Sequence, residues 1–381
     1  MNINKVRLFP SYGSYRLLHE NATEIGYSGD VNGNPIDTRI VKGLLSMNPY
    51  KPKDITISFS STVCFYLPAP NGDYLRAEDW NINYFGILGH NFADIGGANV
   101  ELSYVLDSTG GTTPIPLVES DAMLNAEIDN NYRFSSIEST ADPSFHPAFL
   151  GSPDACNGTT MVYCDYKPPT ASSMLKVKIT PKQGFTGNKL TLGSFVYGKY
   201  FDMPVSPDMS YKLGFLNDGV KSKRTLGGSD MSDISFTSNP GFLGKYVPFS
   251  PGKKLTHEAP IGRRTWDINF SALKSDFENS PSDATGYLFP EEYDSVIESR
   301  RGNDFYNRFV KPTLGGTLPF IFQFNTNQRS SSDFYSTVEH YPMGVDKPSN
   351  FSVAKLRNRR LTFNHKSHKV YDIRMQVIES W

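Results

Sequence analysis

Apolar and polar side chains alternate with a period of two along much of the chain, and this pattern predicts β-strands with one buried face. In residues 55–66, Ile55, Ile57 and Phe59 lie on one face, and threonine and serine lie on the other. We therefore expect a half-buried strand there. The same alternation predicts further strands at 174–183, 263–273 and 369–381.

Two apolar runs predict strands that are buried more deeply. Residues 84–107 combine an apolar run, a turn rich in glycine and asparagine, and a second strand that alternates from Val100 onward. The run at 318–325, LPFIFQFN, is short and almost wholly apolar, which is typical of a strand inside a core.

Only one region favours a helix, residues 291–316. Gly302 interrupts the helical pattern. Pro312 and the Gly315-Gly316 pair end it, because proline and consecutive glycines cannot continue a helix.

The composition predicts a mainly β protein, since 13% of the residues are aromatic, only 20% are charged, and there are 31 glycines and 26 prolines. At 381 residues the chain fits about two or three domains. We expect an N-terminal sandwich at 1–205, with loops around short strands in 1–55 and a long loop insert at 108–173. A second β-rich domain with one or two short helices should follow at 206–381, where the sequence becomes polar and rich in glycine.

The charge balance argues against a dedicated nucleic-acid or membrane partner. Lys and Arg total 38 against 39 Asp and Glu, so the net charge is -1 and offers no bulk attraction to phosphate. No apolar stretch approaches the roughly 18 to 20 residues that span a bilayer, and the first residues lack the apolar core of a secretion signal. We expect the chain to be made and folded in a cytoplasm.

Catalytic and metal-binding motifs are missing from the sequence. It contains no GxSxG, HExxH, GxxxxGK[ST] or GxGxxG pattern, and its three cysteines form no CxxC pair. His365 and His368 have an HxxH spacing, which on a strand or turn does not bring two imidazoles to one face. We therefore predict no catalytic residue, no metal and no cofactor, and classify the chain as not an enzyme.

Aromatic side chains are the most unusual feature, with 26 Phe, 21 Tyr and 3 Trp. Such side chains fill cores and anchor interfaces, but on loops they also stack against sugar rings. Tyr74, Trp80, Tyr84 and Phe145 lie in or beside loop segments, and we take them as the exposed candidates for carbohydrate binding.

The segment FGILGHNFADIGGANVELSY at 85–104 resembles the strand-turn-strand, marked by GHN, of tail-associated structural proteins of tailed bacteriophages. Gly89 permits a sharp turn after a buried strand, and the His90 and Asn91 side chains can cap backbone groups of the turn. Residues 175–205 resemble the last strands of the same unit, whose fold is a galactose-binding, discoidin-type jelly roll.

The second half is similar to the C-terminal domain of phage minor tail or baseplate proteins. In that domain a strand with an aromatic-Asp step is followed by a helix, a Gly-Gly turn, a Pro-Phe strand and a terminal strand. The residues of this chain that match those features, in order, are Trp266, Asp267, Gly315, Gly316 and Pro319.

The resemblance implies a structural protein of a phage virion, located in the tail and made in the host cytoplasm. Its partners would be other tail proteins and copies of itself, bound through subunit interfaces. A carbohydrate-binding or host-receptor recognition module, with a host surface glycan as partner, is the alternative. A glycan-cleaving depolymerase is a third hypothesis, which requires two acids that converge in a cleft.

Overall fold

A computed structural model describes most of the chain, and the fold below refers to those residues alone. They are 5–19, 27–68, 82–105, 112–114, 117–118, 133–135, 145–147, 157–166, 174–182, 187–216, 220–234, 248–249, 263–274, 305–326, 350–358, 361–368 and 370–380.

The protein is mainly β, as the sequence predicted. The strands are β1 (Lys5–Pro10), β2 (Ser28–Val31), β3 (Asn34–Pro35), β4 (Lys53–Thr56), β5 (Val63–Pro68), β6 (Ile82–His90), β7 (Ala98–Val105), β8 (Thr112–Pro114), β9 (Leu117–Val118), β10 (Arg133–Ser135), β11 (Phe145–Pro147), β12 (Gly158–Tyr166), β13 (Met174–Pro181), β14 (Lys189–Leu192), β15 (Ser194–Gly198), β16 (Phe201–Asp202), β17 (Lys212–Leu216), β18 (Val220–Arg224), β19 (Asp230–Ile234), β20 (Arg263–Lys274), β21 (Phe320–Thr326), β22 (Phe351–Leu356), β23 (Thr362–Ser367) and β24 (Val370–Glu379).

Helical structure is sparse in the described residues. The helices are α1 (Tyr12–His19) and α2 (Thr38–Leu45), with a 3-10 turn at Phe92–Ile95 and a π-helical turn at Tyr306–Val310. The sequence predicted loops around short strands for 1–55, which is wrong for α1 and α2. In α2 the Asp37 side chain accepts the N–H of Arg39, so a capped helix forms between the turn-rich stretches.

Two sheets form the sandwich expected in the first half. The outer sheet runs β11-β10-β7-β13-β5-β2-β3, with β8 beside β7, and the middle sheet runs β15-β6-β12-β9. Strands β5, β6, β7, β12, β13 and β15 alternate between these two sheets in chain order, and β4 and β14 form a separate two-stranded sheet. The buried residues between the sheets include Phe65, Val177, Phe85 and Phe195.

The third sheet runs β16-β1-β21-β22-β24-β20-β17, with β23 beside β24. It packs on the far side of the middle sheet, where Phe9, Ile321 and Val353 meet Tyr84 and Leu88. Its opposite face carries a second apolar cluster, to which Phe305 and Phe309 of the π-helical segment contribute. The outer, middle and third sheets therefore form successive layers, and the middle sheet is buried on both faces.

Sheet pairing does not follow the predicted division at residue 205. β1, at Lys5–Pro10, pairs with β21, and Leu8 lies opposite Phe322. β16 pairs with the other edge of β1. The first strand of the chain thus completes a sheet whose other strands come from residues 201–379.

Two segment predictions are corrected by the structure. Residues 55–66 are not one strand, because the chain turns between β4 and β5 and leaves the Phe59 side chain 53% exposed. The predicted loop insert 108–173 contains β12, a nine-residue strand of the middle sheet. The apolar and β-branched residues of β12 alternate between the two apolar layers that the middle sheet separates, so this strand is specified by packing on both sides.

Candidate assembly interface

The GHN segment is a structural junction at the end of β6. Gly89 has a φ of +70°, and a Cβ there would lie 2.7 Å from the carbonyl oxygen of Pro49, so the turn requires glycine. The Asn91 side chain donates to the Lys189 carbonyl oxygen at 3.0 Å and accepts the Thr191 N–H at 2.9 Å. Asn91 therefore fastens the turn to β14, and does not cap the turn itself.

His90 is fully buried and neutral in this junction. Its Nε2 lies 2.9 Å from the Thr160 hydroxyl, its Nδ1 accepts the Phe92 N–H at 3.4 Å, and its ring stacks on Phe92 with 4.0 Å between centroids. Burial lowers the pKa of His90 to about 3, because the interior disfavours the charged imidazolium. The ring has no exposed face for a ligand or substrate.

This buried imidazole predicts a pH dependence of stability. In the unfolded chain His90 binds a proton near pH 6.5, whereas in the folded chain it does so only near pH 3. Between these values the unfolded state binds the extra proton, so the free energy of unfolding falls by about 1.4 kcal/mol per pH unit as the pH drops. Above pH 6.5 this contribution is constant.

Urea unfolding of the wild type and of His90→Gln, at about pH 7 and about pH 5, measures the effect. His90→Gln should lower the free energy of unfolding more at the higher pH than at the lower pH. The difference in stability between the two proteins should therefore narrow as the pH falls. Equal pH dependence in both proteins would contradict a buried, neutral His90.

The remaining motif residues support the third sheet. Gly315 and Gly316 have φ values of +68° and +78°, and a Cβ on Gly316 would lie 2.3 Å from Cγ of Leu356 in β22. The double-glycine turn therefore lets the chain pass closely over the sheet. Pro319, which is partly buried, precedes β21.

Trp266 and Asp267 lie on opposite faces of β20. Trp266 is buried against Phe322, with 5.0 Å between ring centroids. Asp267 accepts two bonds from Arg374, at 2.9 and 2.5 Å, and these hydrogen bonds lower the pKa of its carboxyl group. The aromatic-Asp step thus separates an apolar face of the sheet from a polar one.

The structure does not bring the four carbohydrate candidates together as a described site. Tyr84 is fully buried, and its hydroxyl donates to the Pro10 carbonyl oxygen at 2.7 Å, so the expectation that it is exposed is wrong. Tyr74 and Trp80 lie outside the described residues. Phe145 begins β11, and its side chain is also outside the described part of the protein.

Partly buried charges of the third sheet form ion pairs between neighbouring strands. Arg7 of β1 donates to both carboxylate oxygens of Asp202 in β16, at 2.5 and 2.9 Å, and its guanidinium lies 4.2 Å from the Tyr200 ring centroid. Arg264 forms a similar pair with Glu379 at 2.8 Å. These contacts join strands of one sheet, and we assign them to the fold.

Over the described ranges, no three His, Cys, Asp or Glu side chains converge on a point that would suit a metal ion. None of the described helices is long and apolar enough to cross a bilayer.

The surface feature that stands out is a row of exposed apolar side chains at β17. Tyr211, Leu213 and Phe215 alternate along one face and are 46%, 58% and 57% exposed, and Met209 just before them is fully exposed. We call these four residues the β17 stripe. Exposed aromatic and methionine side chains in one row are typical of protein interfaces.

The position of β17 in the third sheet explains this exposure. β17 pairs with β20 on one side, where Leu213 lies opposite Trp266, and it ends the sheet among the described strands. The stripe therefore continues the apolar face of the sheet past Trp266 to an open edge. On the other face Lys212 lies opposite Asp267, within the polar surface.

A β-hairpin follows the stripe. β18 and β19 pair with each other and with no other described strand. Leu226 is fully exposed at the tip, beside Gly228, whose φ is +84°. A two-stranded hairpin alone is marginally stable in water, so contacts with a neighbouring subunit would stabilise it.

Sequence reasoning missed the stripe, although a signal was present. Tyr211, Leu213 and Phe215 alternate with Lys212 and Gly214, which is a strand pattern. The surrounding polar and glycine-rich residues led us to interpret the whole segment as a domain boundary.

No protein-family model, no curated protein and no solved structure matches the chain.

Proposed function

We propose that this chain is a structural subunit of a tailed-phage virion, in the tail tip, baseplate or tail-associated apparatus, and that it acts through subunit interfaces. The observation that carries the proposal is the β17 stripe, an exposed apolar row on the strand that ends the third sheet among the described residues. The phage assignment comes from the sequence resemblance in 85–104, 175–205 and the second half.

The stripe has the character of an interface and not of a core. Apolar edge strands are a liability in a free protein, because they template pairing with other chains. In this chain the apolar edge strand belongs to the third of three packed layers, which hold it in a fixed position. Such an arrangement is suited to a permanent assembly. The net charge of -1 is close to zero, so it adds little repulsion between neighbouring copies.

The alternative, a carbohydrate-binding or receptor-recognition module, depends on Tyr74, Trp80 and Phe145, since Tyr84 is buried. It stays a prediction on those three residues. Binding of a glycan by the full chain, lost in Trp80→Ala, would favour this alternative.

Incorporation into particles tests the proposed function. Antibodies against the chain should label the tails of particles purified from the lysate in which it is made, as seen by electron microscopy. Leu213→Asp with Phe215→Asp should abolish labelling, because two buried, unpaired charges oppose an interface.

The matched control is Leu18→Asp with Phe59→Asp, which alters apolar residues of similar exposure, 60% and 53%, elsewhere on the surface. This control should be incorporated normally. A folded wild-type chain that is recovered only apart from particles would contradict the proposal.

A further inference from the structure

We propose that β17 pairs antiparallel with β17 of a second copy of this chain, about a two-fold axis at Gly214. The two third sheets then become one continuous sheet across the axis. This inference rests on the proposed function and names the partner of the β17 stripe.

The open edge of β17 calls for a strand as its partner. β20 takes only one side of β17, and no described strand takes the other. An added strand satisfies the backbone groups of such an edge and places its side chains in register with those of the sheet. The exposed stripe supplies the apolar side chains for that pairing.

The apolar face of β17 is self-complementary about the midpoint of the strand. The strand spans Lys212–Leu216, so an axis at Gly214 uses all five residues. Leu213 then lies opposite Phe215 of the second copy, and Lys212 lies opposite Leu216 of the second copy. Two apolar pairs form on one face, and no like charges lie directly opposite each other.

The surface available predicts a weak contact between isolated copies. A whole aromatic side chain buries about 150–250 Å², so a half-exposed one leaves about 100 Å² to bury. Leu213 and Phe215, the two stripe residues inside the five-residue pairing, give about 200 Å² per copy and about 400 Å² per pair, well below the roughly 1,200 Å² of the smallest standard specific interfaces. Pairing should therefore depend on protein concentration. In a particle, other contacts would hold two copies close together and raise the effective concentration of one β17 strand near the other.

A disulfide across the axis tests the register. Residues directly opposite in an antiparallel pair have Cα atoms about 4.5–5.5 Å apart, within the range for a disulfide. In full-length chain with Cys156→Ser, Gly214→Cys should give a covalent dimer on mild oxidation. Cys64 and Cys164 are buried and add little background.

Leu213→Cys in the same background is the register control. In the proposed register, residue 213 of one copy is the diagonal neighbour of residue 213 of the second copy, and their Cα atoms lie about 7–8 Å apart. This distance is too long for a disulfide, so Leu213→Cys alone should give no covalent dimer. Mixing Leu213→Cys with Phe215→Cys chains should restore a dimer between the two kinds of chain.

A second variant guards against a folding defect. A Cβ at Gly214 would lie 3.0 Å from the Thr265 hydroxyl oxygen, so Gly214→Cys is also made with Thr265→Ala, and unfolding curves confirm that both are folded. If folded Gly214→Cys chains form no dimer, or if Leu213→Cys alone forms as much, the two-fold pairing is overturned. Particle labelling would then still support assembly through other surfaces, whereas absence from particles would overturn the proposed function itself.

Discussion

Replacing Phe322 by alanine is expected to lower the free energy of unfolding by about 3–5 kcal/mol, the range for large side chains removed from a core. Phe322 is fully buried in β21, and its ring lies against Trp266. β1 and β22 flank β21, so the cavity is walled by hydrogen-bonded strands that cannot close it. Urea unfolding followed by circular dichroism measures the change.

Phe59→Ala is the matched control, because it makes the same substitution at a side chain that is 53% exposed. It should change stability by about 0.5 kcal/mol or less. Trp266→Ala should cost about as much as Phe322→Ala, and the pair should couple by about 0.5–1.5 kcal/mol beyond area burial. A loss below about 1 kcal/mol for Phe322→Ala would place that side chain outside the core.

Strands with one buried face could be predicted directly from the sequence. In β13 the buried Leu175, Val177 and Ile179 alternate with partly exposed residues, as the period of two requires. β20 behaves in the same way around Trp266 and Ile268. In both strands the local pattern carries the information, because one face meets a core and the other meets solvent or polar neighbours.

Long-range pairing could not be predicted in this way. In β1 the apolar Leu8 and Phe9 are adjacent and point to opposite faces, since the third sheet is buried on both sides at that strand. Such a run indicates burial but does not say which strand lies beside it. The pairing of β1 with β21 depends on packing between residues more than 300 positions apart.

The candidate site shows the same limitation. Tyr84 was taken as exposed because it is close to loop residues, yet the two faces of β6 meet two different apolar layers and bury all of its residues except the half-buried Asn83. The β17 stripe was overlooked because polar and glycine-rich residues surround it and indicated a domain boundary, although Tyr211, Leu213 and Phe215 alternate as in a strand. Exposure depends on how the sheets stack, which periodicity alone does not encode.

Deleting residues 370–381 is expected to give insoluble protein. β24 lies inside the third sheet, where it pairs with β20, β22 and β23. Its removal would expose three strand edges together with the apolar layer that Ile373, Met375 and Val377 help to fill. Solubility after expression, and sedimentation of any soluble fraction, measure the result.

Expressing the deleted segment, residues 370–381, as a separate peptide distinguishes a lost strand from a general defect in production. If β24 acts by completing the sheet, the peptide should restore part of the soluble chain. Met375→Asp in that peptide should not restore it, because a charge would enter the buried layer, whereas the solvent-facing change Arg374→Lys should. A truncated chain that is soluble and assembles without the peptide would contradict this prediction. It would show that neither the third sheet nor the layered core to which β17 is attached depends on β24.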